Sequence, residues 1–118
     1  MEHINLAIQR ANTLPKQRGK QRICAIGFDK KGNVISSGFN SYELTHPMQY
    51  KYAKAVGLEE KCFLHAELSC IIKAKGQAIH KIVVARVGAD GQPRLAAPCP
   101  ICNLAIRQAG IKVVEYTV

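Results

Sequence analysis

Apolar residues along this chain switch repeatedly between helical and strand-like spacing, and this order limits the fold more than any other feature. Helical spacing predicts helices over 2–14, 64–75 and 99–109, and apolar β-branched runs predict strands over 22–28, 34–39, 81–87 and 111–118. We expect a loop with one short helix in residues 40–61 and a plain loop over 88–93. The order α-β-β-α-β-α-β implies an α/β fold, in which helices cover a mixed sheet of four strands.

The chain has 118 residues, which suits one domain spanning 1–118. No apolar run approaches the roughly 20 residues that a membrane helix needs, so we expect no membrane association. The first residues do not show a basic segment followed by an apolar one, so we expect no secretory signal. We therefore expect a cytoplasmic location. The five cysteines are an odd number, which argues against a disulfide framework.

Positive charge dominates, with 17 Lys and Arg against 8 Asp and Glu and a formal net charge of +9. Four of these cations form a basic segment: Lys16, Arg18 and Lys20 lie in a predicted loop, and Arg22 begins the first predicted strand. Such an excess suits phosphate-bearing partners, either free nucleotides or nucleic acid. A basic surface with no particular partner is the alternative, and charge alone does not separate the two.

Two short motifs carry the candidate chemistry. His65 and Glu67 stand at the start of one predicted helix, and Cys99 and Cys102 follow Pro98 at the start of another. Thiolates and imidazole are preferred zinc ligands, and two cysteines spaced C-x-x-C can bind one ion from a single helical turn. Three protein ligands would leave a fourth position for water, as in catalytic zinc sites. Glu67 lies two residues beyond His65, where its carboxylate could exchange protons with that water.

His65-x-Glu67 followed by Pro98-Cys99-x-x-Cys102 resembles the motif pair of the zinc-dependent cytidine and deoxycytidylate deaminases. The resemblance covers roughly residues 20–118 and implies a three-layer α/β/α fold. It also implies a hydrolytic enzyme with one zinc ion per chain. Members of this family are usually homo-oligomers, so the resemblance implies a homo-oligomer here as well. The family usually adds a fifth strand after the last one predicted here. The open sheet edge would then be left free, closed by a second copy, or covered by residues 40–61.

The resemblance also implies roles for individual residues. His65, Cys99 and Cys102 match the zinc ligands, and Glu67 matches the proton shuttle. Asn40, at the end of the second predicted strand, matches the asparagine that holds the sugar of a nucleoside. The backbone and side chain around Ala66 would help to recognise the base.

Simpler interpretations remain open at this point. His65 alone could be an ordinary histidine at a helix terminus, and Cys99 with Cys102 could be a redox pair or part of a structural zinc site. A structural site needs a fourth ligand, for which Cys70 or Cys62 could serve, and Cys62 with His46 could also begin a second zinc site. Asn40 could merely cap a turn.

The substrate is the least constrained prediction. Ser69, Ala96 and Ala97 each depart from a residue that marks one deaminase subfamily, so no subfamily matches completely. The long segment between Asn40 and His65 resembles that of small phage and bacterial deoxycytidylate deaminases, which favours a cytosine nucleotide. The alternatives are a cytosine or adenine base in single-stranded DNA or RNA, and a zinc-stapled nucleic-acid-binding module without catalysis.

Overall fold

A mixed β-sheet forms the middle of the structure, a computed structural model that describes residues 2–118. The elements in chain order are α1 Glu2–Ala11, β1 Arg22–Phe28, β2 Val34–Phe39, α2 Pro47–Ala55, α3 Ala66–Lys73, β3 Lys81–Val87, β4 Pro93–Arg94, α4 Pro100–Gln108 and β5 Val113–Tyr116. All the predicted helices and the four predicted strands are present. Within residues 2–118, no helix is both long and apolar enough to cross a membrane.

β1 and β3 are the central strands of the sheet. β1 pairs antiparallel with β2 on one side and with β3 on the other, from Arg22 opposite Val87 to Phe28 opposite Lys81. The far side of β3 pairs in parallel with β5 and antiparallel with β4. The sheet is therefore mixed, as predicted, but it has a fifth strand in β4. This two-residue strand was missed because Pro93 and Arg94 carry no periodicity, and only their pairing with the end of β3 makes them a strand.

Alternate side chains of β1 and β3 bury opposite faces of the sheet and create three layers. Ile26 and Val83 pack against α1 in one cluster, together with Cys24, Phe28, Ala85 and Val87. Ala25 and Val84 face the other way, towards α3 and α4, together with Ile82. The three-layer α/β/α arrangement implied by the motifs is thus confirmed.

The segment between β2 and α3 contains α2, the short helix expected there. Tyr52 and Ala53 of α2 pack with Leu68 of α3 and Ile101 of α4. The segment therefore extends the helical layer and does not lie along the sheet edge. Of the three possibilities for that edge, coverage by residues 40–61 is thus removed.

Five helix boundaries differ slightly from the predictions: the end of α1 and both ends of α3 and α4. α1 ends at Ala11 because the chain tightens there, with the Leu14 N–H donating to the Ala11 carbonyl three residues back. His65 and Cys99 have extended backbones and are the residues that precede α3 and α4. Apolar spacing does not distinguish such a capping residue from the first helical residue.

Candidate active site

Three possible metal ligands converge where α3 and α4 begin. His65 immediately precedes α3, Cys99 immediately precedes α4, and Cys102 lies in the first turn of α4. His65 Nδ1 is 3.3 Å from the Cys102 sulfur and 3.5 Å from the Cys99 sulfur. Helices α3 and α4 belong to one layer, so their N-termini bring together side chains that are 34 residues apart in the chain. The structure therefore assembles the three residues that the motifs indicated.

The donor set and its spacing fit a zinc ion. The three ligand atoms lie within 4.8 Å of one another, and Cys102 is buried. A tetrahedral zinc ion, with Zn–S of about 2.3 Å and Zn–N of about 2.0–2.1 Å, separates its nitrogen and sulfur ligands by about 3.5 Å. Within residues 2–118, no fourth His, Cys, Asp or Glu joins this group. Three protein ligands are the number that catalytic zinc sites use.

Neither of the cysteines considered as a fourth ligand belongs to the group. The Cys70 sulfur is buried 3.4 Å from Ser36 Oγ, and burial raises its pKa to about 11. His46 Nδ1 accepts a hydrogen bond from the Met48 N–H and so caps α2. Among the residues described, no cluster of three ligating side chains includes His46 or Cys62, so the second zinc site gains no support.

Hydrogen bonding within the group favours a thiolate. The Cys102 thiol donates to Cys99, and this bond, aided by His65 and the Cys102 backbone N–H, lowers the pKa of Cys99 to about 3. The same bond, together with burial, raises the pKa of Cys102 above its usual range. The hydrogen bond to Cys99 raises the pKa of His65. A site that already stabilises one thiolate suits a divalent cation.

Glu67 is the acidic group of the site. It lies in the first turn of α3, is 6% exposed, and lines the same cavity as His65 and Cys99. Burial raises the pKa of its carboxyl group. A largely desolvated carboxyl next to a metal-ligand set is typical of a group that exchanges protons during a reaction.

His65, Cys99 and Glu67 border a cavity of about 450 Å³, here called the catalytic cavity, whereas Cys102 is buried outside its lining. This volume lies within the ~300–1,000 Å³ typical of small-molecule sites. Ala66 and Asn40 also line it, together with two cations, Lys61 and Arg86. Both predicted substrate contacts thus face the predicted chemistry. Sequence reasoning did not identify Lys61 or Arg86, because only the fold places the end of β3 beside the start of α3.

Asn40 already has hydrogen-bond partners in the chain. Its Oδ1 accepts from the Ile23 N–H at 2.9 Å, and its Nδ2 donates to the Gln21 carbonyl at 3.0 Å. An amide group has a second N–H and a second lone pair to offer. Asn40 therefore stabilises the start of β1 and retains hydrogen-bonding capacity towards the cavity that it lines.

Gln49 of α2 supports the segment that carries His65, and sequence reasoning missed it. Its side chain is fully buried; Oε1 accepts from the His65 N–H and Nε2 donates to the Lys61 carbonyl, both at 3.2 Å. The available signal was helical spacing, because Gln49 precedes the apolar residues Tyr52 and Ala53 by three and four positions. A polar residue on the apolar face of a helix usually has a specific partner.

A glycine of β2 lets α3 lie directly on the sheet. A Cβ atom at Gly38 would be 2.5 Å from the Cys70 nitrogen and 2.7 Å from the Ala66 carbonyl oxygen. No larger residue fits without moving one of the two elements. Gly38 thereby fixes the height of α3, and with it the positions of His65 and Glu67, above the strand.

The comparisons with known proteins agree with this geometry. The family described as the cytidine and deoxycytidylate deaminase zinc-binding region matches residues 1–118. The deoxycytidylate (dCMP) deaminase of cyanophage S-TIM5, solved in complex with dCMP and dUMP, superimposes with a TM-score of 0.62 at 19% identity. That match covers 98% of this chain and 77% of the phage enzyme.

Two bacterial enzymes share the fold as well. The cytidine deaminase of Mycobacterium leprae matches with a TM-score of 0.54 at 18% identity, over 93% of this chain and 81% of that one. The cytidine deaminase of Mycobacterium tuberculosis matches with a TM-score of 0.51 at 18% identity, over 92% and 77% of the two chains. No curated protein matches the sequence significantly.

Proposed function

Because the chain belongs to the cytidine and deoxycytidylate deaminase family, we propose that it deaminates the cytosine ring of a free nucleotide of the deoxycytidylate type. Members of this family are zinc-dependent hydrolytic enzymes, and zinc is the cofactor that His65, Cys99 and Cys102 are suited to hold. The observation that carries the proposal is that His65 and Cys99 of this ligand set line the same cavity as buried Glu67. A binding module without catalysis gives no reason for a desolvated carboxyl at that place.

The reaction exchanges an amino group for an oxygen atom. Water forms a C–O bond at the ring carbon that bears the exocyclic amine, the C–N bond breaks, and ammonia leaves a uracil nucleotide. When bound, zinc lowers the pKa of a water molecule to about 7 and so supplies a nucleophile at neutral pH. The chain itself must orient the base and move the protons.

Glu67 is the group assigned to proton transfer. Its carboxylate takes a proton from the attacking water and delivers it to the ring nitrogen, and a further proton passes through it to the leaving amine. Burial supports this role, because the raised pKa brings the carboxyl group closer to neutral pH, where accepting and returning a proton are both feasible.

Ala66 and Asn40 are assigned to substrate binding. Ala66 is buried at the first position of α3, where a small side chain lets a flat base approach the backbone N–H groups that begin the helix. Asn40 uses its remaining N–H and lone pair for a sugar hydroxyl. Its two bonds to the backbone support this role, because they hold the amide in a fixed orientation.

Arg86 and Lys61 favour a nucleotide over a nucleoside. Both line the catalytic cavity, and Glu67 is the only acidic residue among residues 2–118 in its lining. Arg86 is half-buried on β3, two residues beyond Val84, on the face that points towards α3. A guanidinium in a cavity wall is well suited to a phosphate group. No comparison favours a base within DNA or RNA as the substrate.

The proposal is tested by measuring ammonia release from cytidine, deoxycytidine, their monophosphates, adenosine and a cytosine-containing oligonucleotide. We expect the highest kcat/KM for a cytosine monophosphate. Glu67→Gln preserves the shape of the side chain and removes its basicity, so activity should fall by at least ~10²–10⁴-fold while zinc content stays constant. Turnover of adenosine alone, or a Glu67→Gln variant as fast as wild type, would refute the assignment.

A further inference from the structure

A second cavity adjoins the catalytic cavity and is lined almost entirely by basic and small residues. It measures about 560 Å³ and shares Gln21 and Arg86 with the catalytic cavity. We call it the basic groove. Its cations are Lys16, Arg18, Lys20, Arg22, Arg86 and Arg94, and none of the described residues that line it is acidic. A concave surface of one charge sign concentrates field lines and attracts ions of the opposite sign.

Three of the six cations already have partners in the chain: Arg22, Arg94 and Arg86, whose Nη1 donates to the Leu95 carbonyl at 3.5 Å and which keeps other N–H groups for a ligand. Arg22 is only 5% exposed, and its guanidinium donates to the carbonyls of Asn12, Leu14 and Gly88. Arg94 forms an ion pair with Asp90 at 3.0 Å. Arg22, the first residue of β1, is therefore not free to bind a ligand, because its side chain ties the loop to the sheet.

The other loop cations are available to a ligand. Lys16, Arg18 and Lys20 are exposed, and within residues 2–118 no acidic side chain lies within ion-pair distance of any of them. The Lys20 amine lies 5.3 Å from the centre of the Tyr42 ring, and Tyr42 lines the catalytic cavity. Lys20 thus stands between the two cavities, as Arg86 does.

We propose that the basic groove binds a second phosphate group, covalently attached to the nucleotide whose base occupies the catalytic cavity. The inference rests on the proposed function, because it takes the first phosphate to lie near Arg86. Since Arg86 borders both cavities, the next phosphate along the substrate enters the groove and meets Lys16, Arg18 and Lys20. That phosphate can come from the polyphosphate tail of a nucleoside diphosphate or from the phosphodiester of an adjoining nucleotide.

The test measures binding of reaction products, so it does not depend on turnover. Dissociation constants are measured calorimetrically for deoxyuridine monophosphate, deoxyuridine diphosphate and a 5′-phosphorylated deoxyuridine dinucleotide. We expect the second phosphate to tighten binding about three- to tenfold, as a few exposed charge-assisted contacts would. A gain for the diphosphate alone identifies a polyphosphate tail, and a gain for the dinucleotide alone identifies a phosphodiester.

Matched variants locate the effect. For each ligand with a second phosphate, we compare the dissociation constant of deoxyuridine monophosphate with that of the ligand. In the Lys16→Gln, Arg18→Gln, Lys20→Gln triple variant, this ratio should fall to about one. The control triple variant Lys30→Gln, Lys31→Gln, Lys54→Gln removes the same charge from exposed positions outside both cavities and should keep the wild-type ratio.

Three results would overturn the proposal. The diphosphate and the dinucleotide could both bind no more tightly than the monophosphate. The tighter binding could also persist in the Lys16→Gln, Arg18→Gln, Lys20→Gln variant, or be lost equally in the control variant. Its failure is separate from that of the proposed function. Ammonia release from a cytosine monophosphate without any binding gain would refute the groove alone. A gain that depends on the groove, without any deaminase activity, would refute the proposed reaction and leave the groove in place.

Discussion

Gln49 should contribute to both folding and zinc affinity, and replacing it with Met tests this directly. Met matches Gln in length, flexibility and helix propensity, so Gln49→Met removes two hydrogen bonds while leaving little cavity. The groups that lose their partners are the His65 N–H and the Lys61 carbonyl. Both bonds lie in partly buried surroundings, so water compensates in part for the loss.

The size of the effect follows from these contacts. A buried polar group without its partner costs about 1–3 kcal/mol, and partial access to water favours the lower end, so the two losses total about 2–3 kcal/mol. The burial that Met gains offsets about 0.5–1 kcal/mol of this. We therefore expect the free energy of unfolding to fall by about 2 kcal/mol. Since the loosened segment carries His65, zinc affinity should fall about tenfold.

Two measurements check this prediction: urea denaturation of the zinc-loaded protein, and competition for zinc with a chromogenic chelator. Gln108→Met is the control, because Gln108 is exposed at the end of α4 and should change stability by less than about 0.5 kcal/mol. An unchanged free energy of unfolding in Gln49→Met would mean that the two hydrogen bonds make no net contribution to stability. Reduced stability with unchanged zinc affinity would limit Gln49 to a packing role.

Three further predictions follow from contacts in the site. Cys99→Ser should lose zinc and weaken folding, because the ion would link the starts of α3 and α4; about one zinc per chain by elemental analysis of the variant would contradict this. Asn40→Ala should raise KM about three- to tenfold through loss of one sugar hydrogen bond, and should also lower Tm because the bonds to Ile23 and Gln21 are lost. A lower Tm with unchanged KM would leave Asn40 a structural role only. Gly38→Ala should destabilise the fold by about 1–3 kcal/mol, because its Cβ would overlap the α3 backbone, and should lower kcat by displacing Glu67. Wild-type stability and kcat in this variant would show that α3 can move away at little cost.

Local patterns were sufficient to predict most of the fold. β1 and β3 bury both faces, so their sequences are nearly continuous apolar runs, and their predicted bounds match the observed ones. β4 was not predictable, because two residues carry no periodicity and their pairing partner lies in another part of the chain. The start of α3 was placed two residues early and that of α4 one residue early, since His65 and Cys99 cap these helices with extended backbones.

The candidate site was predictable where the chemistry depends on close spacing. Cys99 and Cys102 share one helical turn, so their cooperation could be predicted from the sequence before any fold was known. Gln49 and Arg22 could not be assigned in this way, because their partners are backbone groups brought close only by tertiary packing. The charged end of an arginine is usually solvated, and only the structure shows the three carbonyls around Arg22 at the start of β1.

The backbone contact at Gly38 determines which wall of the catalytic cavity can yield to an arriving substrate. At Gly38 no side chain separates β2 from the α3 backbone, so the two elements cannot move closer together there. The outer wall carries Tyr42, Phe63 and Leu95, which are 40%, 44% and 57% exposed and lie outside the helices and strands. Ser41 and Leu64 join two of these segments, because the Ser41 N–H donates to the Leu64 carbonyl. Any substrate that displaces this outer wall would therefore have to move residues 41–45 and 63–64 together.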